Sequence, residues 1–399
     1  MIKLLTFSTL YPSSVRPNHG IFVETRLRHL LASGEVQSIV VAPVPWFPFK
    51  GERFGDYGKY ARTPHEETRN GIHVLHPRFP LVPKLGMTSA PALLAAAALP
   101  TLRRLIREGY DFDVIDAHYF YPDGVAAAII AKQLNKPFVI TARGTDINLI
   151  PQYAMPRRMI RWAAKRATKS ITVCEALRTS MIELNIAGDH IVTLRNGVDL
   201  DRFQPVDRTA RRHELGLNAF TLLSVGNLIP LKGHHLAIQS LAQLPGVRLL
   251  IAGSGPQRGA YEKLAQDLGV AERVTFLGGV PQVEMKHYYG AADALVLASE
   301  REGWPNVLLE SMACGTPVIA TRVSGIPEIV AAPEAGVMMP ERTADGVAAG
   351  VKQLRANYPA HEATRAYAEG FSWDATTEGQ LTLFADILNR TSSLATRHA

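Results

Sequence analysis

The sequence predicts an α/β protein of two domains, each built on a parallel sheet with helical crossovers. Three observations carry that expectation. The chain has 399 residues, long for one core and comfortable for two. Short Val-, Ile- and Leu-rich runs alternate with segments of helical period along its length. The alternation is interrupted at Asn196-Gly-Val-Asp-Leu-Asp-Arg-Phe-Gln-Pro205, which has turn chemistry and neither period.

In the first half the expected strands are Lys3–Thr6, Gln37–Ala42, Ile72–His76, Val114–Ala117, Phe138–Thr141 and Ser170–Val173. Helical patterns lie between them at Gly20–Leu31, Pro91–Arg107, Gly124–Leu134 and Pro156–Thr168. The second half restarts with Thr221–Val225, Arg248–Ala252, Val274–Phe276, Ala294–Leu297 and Pro317–Thr321, with helices near 232–243, 259–268, 283–290 and 305–313. The domains are therefore read as 1–197 and 207–370, with a hinge over 198–206. The tail, 371–399, has a helical pattern and is long enough to return to the first domain and brace it. Sheets of this Rossmann-like kind bind ligands at the carboxyl ends of their strands.

A hydrophobic fraction of 47% with 20% charged residues describes a soluble globular chain, and no run of 18 apolar residues exists. Ala90–Leu102 is interrupted by Pro91 and Pro100 and reads as a buried or interfacial helix. The first residues, MIKLLTFSTLYPSS, read as a strand and not as a signal peptide. Cys174 and Cys314 sit in apolar surroundings, which fits buried thiols in a reducing cytoplasm. The net charge is +7, and the segment 151–180 alone carries +6, seven cations against Glu175.

The most informative stretch is Glu300-Arg-Glu-Gly-Trp-Pro-Asn-Val-Leu-Leu-Glu-Ser-Met-Ala-Cys-Gly-Thr-Pro-Val318, set between the apolar runs ALVLAS and PVIAT. It must be a strand–loop–helix–strand unit, with Pro305 in the first helical turn and Gly315 just past the helix end. The amides of Gly303, Trp304, Asn306 and Val307 then surround a helix N-terminus suited to an anion. Glu302 and Glu310 are two acceptor-only carboxylates, spaced to hold hydroxyls at opposite ends of an extended polyhydroxylated ligand. A second constellation, Ser224-Val-Gly-Asn-Leu-Ile-Pro-Leu-Lys-Gly233, places Gly226 at a strand end, where a diphosphate can approach the backbone, and Lys232 nearby as its counter-charge.

Taken together these stretches resemble the family 4 glycosyltransferases of the GT-B fold. The similarity runs along nearly the whole chain, from an N-terminal Pro/Gly loop through the Asn-Gly-Val-Asp linker to a final Phe-Ser-Trp before the last helix. The resemblance implies a retaining, metal-independent transfer of a sugar from a nucleotide-diphosphate donor to a hydroxyl of a glycan or lipid-linked acceptor, with no cofactor. It implies that Glu302 contacts the donor sugar and Glu310 the ribose. Gly253, in the turn after LLIAG, resembles the family's phosphate-side loop, and Val280 lies where the base is expected to pass. Gly20, opening a helix after Asn18-His19, is expected near diphosphate and acceptor.

Two positions depart from the family pattern. Asn227 stands where an arginine commonly follows the first glycine. Arg143, in Thr141-Ala-Arg-Gly-Thr-Asp146, replaces the histidine of the loop that reaches the donor sugar, and an arginine there suits a carboxylate or phosphate. His118, at a strand's carboxyl end, is placed either among acceptor groups as a catalytic residue or as a buried structural histidine. Asp111-Phe-Asp113 and Asp199-Leu-Asp201 are read as turn and capping residues, so no metal site is expected.

On a helical wheel, 156–169 gathers Arg158, Arg161, Lys165, Arg166 and Lys169 on one side, with Trp162 among them. This suggests contact of Arg158, Arg161, Trp162 and Lys165 with an anionic membrane surface, and a cytoplasmic protein peripheral on the inner face. No nucleic-acid-binding pattern accompanies the charge. The rivals are a nucleotide-sugar epimerase of the same architecture and a non-catalytic sugar-nucleotide sensor. A dinucleotide oxidoreductase would need a GxGxxG after the first strand, which is missing.

Overall fold

The computed structural model describes residues 1–80 and 86–397. The chain divides into two compact units, one of Met1–Arg195 with Asp374–Ala399 and one of Asn196–Trp373.

The first unit contains β1 (Ile2–Phe7), β2 (Val36–Val41), β3 (Val44–Pro45), β4 (Glu66–Arg69), β5 (Ile72–Leu75), β6 (Arg78–Phe79), β7 (Val114–His118), β8 (Phe138–Ala142), β9 (Lys169–Thr172) and β10 (Ile191–Thr193). Eight of them form one sheet in the order β10-β9-β8-β7-β1-β2-β5-β4, while β3 and β6 pair separately. All neighbours are parallel except β4, which runs antiparallel to β5 at the edge. The chain leaves β1 for β2 on one side and later returns to β7 on the other, so the sheet's topological switch point lies between β1 and β7.

Strands β4 and β10 escape a hydrophobic reading for a physical reason. Glu66-Glu-Thr-Arg69 is an edge strand with no buried residue, so it carries no apolar signal. Its turn does carry one. Asn70 and Gly71 both have positive φ, at 49° and 77°, the mirror-image turn that suits a two-residue hairpin.

The helix Gly86–Arg107 runs through both Pro91 and Pro100. Leu94, Ala98 and Leu102 are fully buried along one side of it, and that burial outweighs the two missing backbone donors. The last helix, Asp374–Arg397, belongs to this unit. Its Leu383, Phe384 and Ile387 share one core with Leu4, Leu30, Val36, Val114, Val139 and Ile171.

The second unit carries β11 (Thr221–Val225), β12 (Arg248–Ala252), β13 (Val274–Gly278), β14 (Ala294–Leu297), β15 (Val318–Ala320) and β16 (Gly336–Met338). They form one parallel sheet in the order β13-β12-β11-β14-β15-β16, which puts its switch point between β11 and β14. The turn segment from Asn196 packs within this unit. Phe203 is buried, with its ring 6.0 Å from that of Tyr289, and its carbonyl accepts from Arg365 Nη1 at 2.6 Å. The stretch read as a hinge over 198–206 is thus anchored to the second core. Among the described residues, no helix is long and apolar enough to cross a membrane.

Candidate active site

In the second unit the switch point brings two loops together. One follows β11 and contains Gly226, Asn227 and Lys232; the other follows β14 and contains Glu302. The Lys232 ammonium donates to Glu302 Oε1 at 2.6 Å, a charge-assisted contact with both groups partly exposed. Residues 70 positions apart therefore meet at one point. An ammonium has three donors, so one contact to Glu302 leaves capacity for an anionic ligand.

The loop after β11 is held by its neighbours. Gly253 has φ 153°, and a Cβ there would lie 1.8 Å from the Gly226 carbonyl oxygen, so only glycine lets the two turns abut. Gly226 N–H donates to Ala252 O at 3.0 Å and Leu228 N–H to Ser254 O at 2.9 Å. Beneath them lies His234, fully enclosed, with Nδ1 2.7 Å from Ser224 Oγ and Nε2 3.2 Å from the Asn227 carbonyl. Because a carbonyl can only accept, Nε2 carries the proton and Nδ1 accepts from the serine.

Burial drives the His234 pKa down from 6.5 to about 4, so the ring is neutral throughout the physiological range. The unfolded chain therefore binds a proton that the folded chain refuses. Stability contributed by this site is complete above pH 6.5 and is lost as pH falls toward 4. The loss amounts to about 3 kcal/mol. Unfolding titrations of wild type and His234→Asn should show this acid sensitivity in the first and a flatter profile in the second.

Glu310 sits on the helix Asn306–Ala313. Its Oε2 accepts from the Tyr289 hydroxyl at 2.8 Å. Burial raises the Glu310 pKa, opposed by hydrogen bonds from Tyr289 and Gln282 and by the Arg202 charge. Gln282 is in turn bound by Arg202 Nη1 at 2.7 Å, and Arg202 N–H donates to Asp199 Oδ1 at 2.9 Å. A chain of polar contacts thus fixes the carboxylate. Tyr289→Phe removes one of the hydrogen bonds that hold the Glu310 carboxylate in place.

Pro305 is the N-cap of that helix, one residue earlier than the first-turn position expected for it, so its first two amides are those of Asn306 and Val307. Trp304 lies before the helix and turns inward. Its indole is 6% exposed and donates through Nε1 to the Asn196 carbonyl at 2.9 Å, so its side chain braces the linker and does not reach for a ligand. Asn306 Oδ1 accepts from Asn196 Nδ2 at 3.4 Å. Val280 is half-buried just beyond β13, and Gly303 lies in the loop before the helix.

In the first unit, the switch point gathers the ends of β1 and β7. Gly20 caps the helix Ile21–Ala32 with φ 67°, and a Cβ there would strike the Leu10 carbonyl oxygen at 2.2 Å. His118 is 2% exposed, and both ring nitrogens are engaged: Nε2 lies 3.2 Å from Asp116 Oδ2 and Nδ1 2.6 Å from Arg143 Nη2. Of the two sequence readings for His118, this geometry fits the enclosed one, with the ring positioning Arg143. The Arg143 guanidinium stacks over Phe22 at 5.2 Å, and burial lowers its pKa to about 9, leaving it charged at neutral pH. Its loop is shaped by Asp146, whose carboxylate accepts from the amides of Phe120, Arg143 and Gly144.

Three of the four DxD carboxylates have structural contacts. Asp113 Oδ2 accepts from Lys3 N–H at 2.8 Å, Asp111 pairs with Lys136 at 2.7 Å, and Asp199 caps the turn to Arg202. Cys174 and Cys314 are buried, and neither forms a disulfide among the described residues. The basic helix is Ala154–Ala164, shorter than its wheel. Trp162 in it is half-buried beneath Arg166, 4.6 Å from guanidinium carbon to ring centre, and is not the exposed aromatic its neighbours suggested. Arg158 and Lys165 are exposed and Arg161 is partly so.

Two sequence profiles cover most of the chain: Glycosyltransferase Family 4 over residues 26–202 and Glycosyl transferases group 1 over residues 206–371. Glycosyltransferase TuaC of Bacillus subtilis (strain 168), named for teichuronic acid biosynthesis, is 33% identical over 336 residues, 82% of each chain. The chain belongs to the group 1, family 4 glycosyltransferases. This glycosyltransferase is also 32% identical to a D-inositol 3-phosphate glycosyltransferase of Frankia alni, over 81% of its own length and 86% of the relative's. Among solved structures it superposes on sucrose-phosphate synthase of Thermosynechococcus elongatus, with a TM-score of 0.79, 20% identity and coverage of 98% and 100%. Anabaena HepE in complex with UDP-glucose matches with a TM-score of 0.71, 20% identity and the same coverages. These likenesses show the GT-B fold, with two Rossmann-like domains.

His234, Tyr289, Gln282 and Arg202 went unassigned in the sequence. His234 had a usable signal, a histidine directly after the Lys-Gly turn. Tyr289 had none, because its helix meets that of Glu310 only through tertiary packing.

Proposed function

We infer that this glycosyltransferase moves a hexose from a nucleoside diphosphate sugar to a hydroxyl of a glycan or lipid-linked acceptor, with retention and without a metal. The observation that carries the reading is the Lys232–Glu302 pair at the carboxyl ends of β11 and β14, with a fixed Glu310 on the next helix. Lys232 offers its remaining donors to the diphosphate, where negative charge grows as the glycosidic bond to phosphate breaks. Glu302 accepts from sugar hydroxyls, and Glu310 from the ribose. The amides of Asn306 and Val307 add partial positive charge on the same side. The transfer passes through an oxocarbenium-like state, and the departing phosphate receives the acceptor's proton on the face it leaves.

Metal independence is supported by the way Asp111, Asp113 and Asp199, three of the four DxD carboxylates, are spent on backbone and ion-pair contacts. A nucleotide donor is supported by the complexes of HepE with UDP and with UDP-glucose. In this reading the second unit binds donor, the first binds acceptor, and Arg143 recognises an anionic group of one of them. The protein works in cell-surface polysaccharide or glycolipid synthesis, on the cytoplasmic face of the membrane.

A panel of UDP-, GDP- and ADP-sugars tests this by thermal stabilisation. One donor should raise the wild-type melting temperature, and Glu302→Ala and Glu310→Ala should both weaken that response. No stabilisation by any donor, or wild-type responses in both variants, defeats the reading. Product formation without added acceptor identifies an epimerase instead. Wild-type kinetics in Arg143→Ala removes the anion role.

A further inference from the structure

Between β3 and β4 the first unit carries an aromatic-rich insertion that the site described above does not use. Trp46, Phe49 and Tyr57 are 58%, 55% and 46% exposed. Phe49 and Tyr57 belong to one ring cluster, and Trp46 adjoins it in sequence. Phe47 lies 5.9 Å from Phe49, 5.4 Å from Phe54 and 5.2 Å from Tyr57, ring centre to ring centre, and Phe49 stacks on Phe54 at 5.3 Å. The rings therefore hold one another in a preformed platform, with several edges turned to solvent. Single exposed apolar residues are common on soluble proteins, but a contiguous aromatic patch marks a binding surface.

Cations surround the platform. Lys50, Arg53, Lys59 and Arg62 lie in the same stretch, against only Glu52 and Asp56. Arg53 stacks over Phe54 at 4.8 Å, and Lys59 pairs with Asp56 at 3.1 Å. Aromatic rings with an excess of Lys and Arg complement the headgroup region of an anionic bilayer, where the rings enter the interface and the cations meet lipid phosphates. The platform is also wired to the end of β1. Arg16 lies over the Tyr60 ring at 5.0 Å and contacts His19 Nδ1 at 3.0 Å, while His19 Nε2 reaches the Thr9 carbonyl at 3.2 Å.

We propose that the Trp46–Tyr57 platform docks the enzyme on an anionic lipid surface, with the basic helix Ala154–Ala164 as a secondary electrostatic contact. The insertion leaves the carboxyl end of β2, and the basic helix follows the carboxyl end of β8, so both rise from the same rim of the parallel sheet. Exposed Tyr153 and Met155 open that helix. This deepens the peripheral-membrane part of the proposed function, and its physics does not depend on the donor assignment.

The test is co-sedimentation of the full chain with phosphatidylglycerol–phosphatidylcholine vesicles and with phosphatidylcholine vesicles alone. Wild type should bind the anionic vesicles and lose most of that binding at high salt. Trp46→Ser/Phe49→Ser/Tyr57→Ser should bind at least about tenfold more weakly. Arg158→Glu/Lys165→Glu should lose less. The triple variant should keep its melting temperature and its thermal response to nucleotide sugar, which separates failed docking from failed folding or a failed donor assignment. Wild-type binding by the triple variant overturns the proposal, as does absence of vesicle binding by wild type. Self-association of wild type that disappears in the triple variant, without vesicle binding, assigns the platform to a second copy of the chain and equally overturns it.

Discussion

Lys232→Ala should lower kcat by about 10²–10³-fold, the range seen when one preorganised electrostatic donor is removed from a developing oxyanion. The expectation follows from position and chemistry together. The fold brings Lys232 to the Glu302 loop at the switch point of the second sheet, and the residue after Gly226 is the neutral Asn227. Stability should change little, because a partly exposed ion pair contributes about 1 kcal/mol or less. Steady-state kinetics with saturating donor read the effect directly. A fall in kcat below about tenfold would show that backbone amides carry the leaving-group charge. Asn227→Arg offers the complementary check, since a cation at that position should partly rescue Lys232→Ala.

Arg26→Met should destabilise the first unit by about 3–5 kcal/mol, the usual cost of breaking a buried ionic network by removing one partner. Arg26 is 1% exposed and is the largest fully buried side chain among the described residues. Its Nε donates to Gln380 Oε1 at 3.0 Å and its Nη1 to the Leu194 carbonyl at 3.0 Å. One guanidinium therefore ties the first helix to the segment after β10 and to the last helix. Burial lowers its pKa to about 10, which still leaves it charged at neutral pH, and it helps hold the buried Asp116 carboxyl below its ordinary value. Methionine fills the space but leaves Gln380 and Asp116 without that charge. For a unit of this size the melting transition should drop by about 10 °C. Donor-induced stabilisation should persist, because Lys232, Glu302 and Glu310 lie in the other unit. A shift of less than about 2 °C would mean that water replaces the guanidinium without cost.

The sequence determined the fold class and most of its framework. Alternation of apolar runs and helical segments is local information, and each of the eleven strands expected from it overlaps an observed one. Glycine at 226 and 253, and the glutamates at 302 and 310 with seven residues between them, were legible for the same reason: backbone conformation and helix spacing are written in adjacent residues. What failed did so where the signal is not local. A polar edge strand such as Glu66–Arg69 has no apolar face to show, and Ile191–Thr193 is a three-residue edge strand with a single buried residue.

Tertiary structure alone decided the partners. Which cation meets Glu302, which hydroxyl holds Glu310, and which base lies under the Asn227 loop depend on contacts between segments 70, 21 and 7 residues apart. Burial decided the rest. Trp162 and Trp304 look alike in sequence, as aromatics beside functional motifs, yet one lies beneath an arginine and the other donates inward to the linker. The exposed platform at Trp46, Phe49 and Tyr57 is the converse case. Composition does not separate them from core aromatics, and it is the packing of Phe49 and Tyr57 on Phe47 and Phe54 that decides which edges stay in solvent.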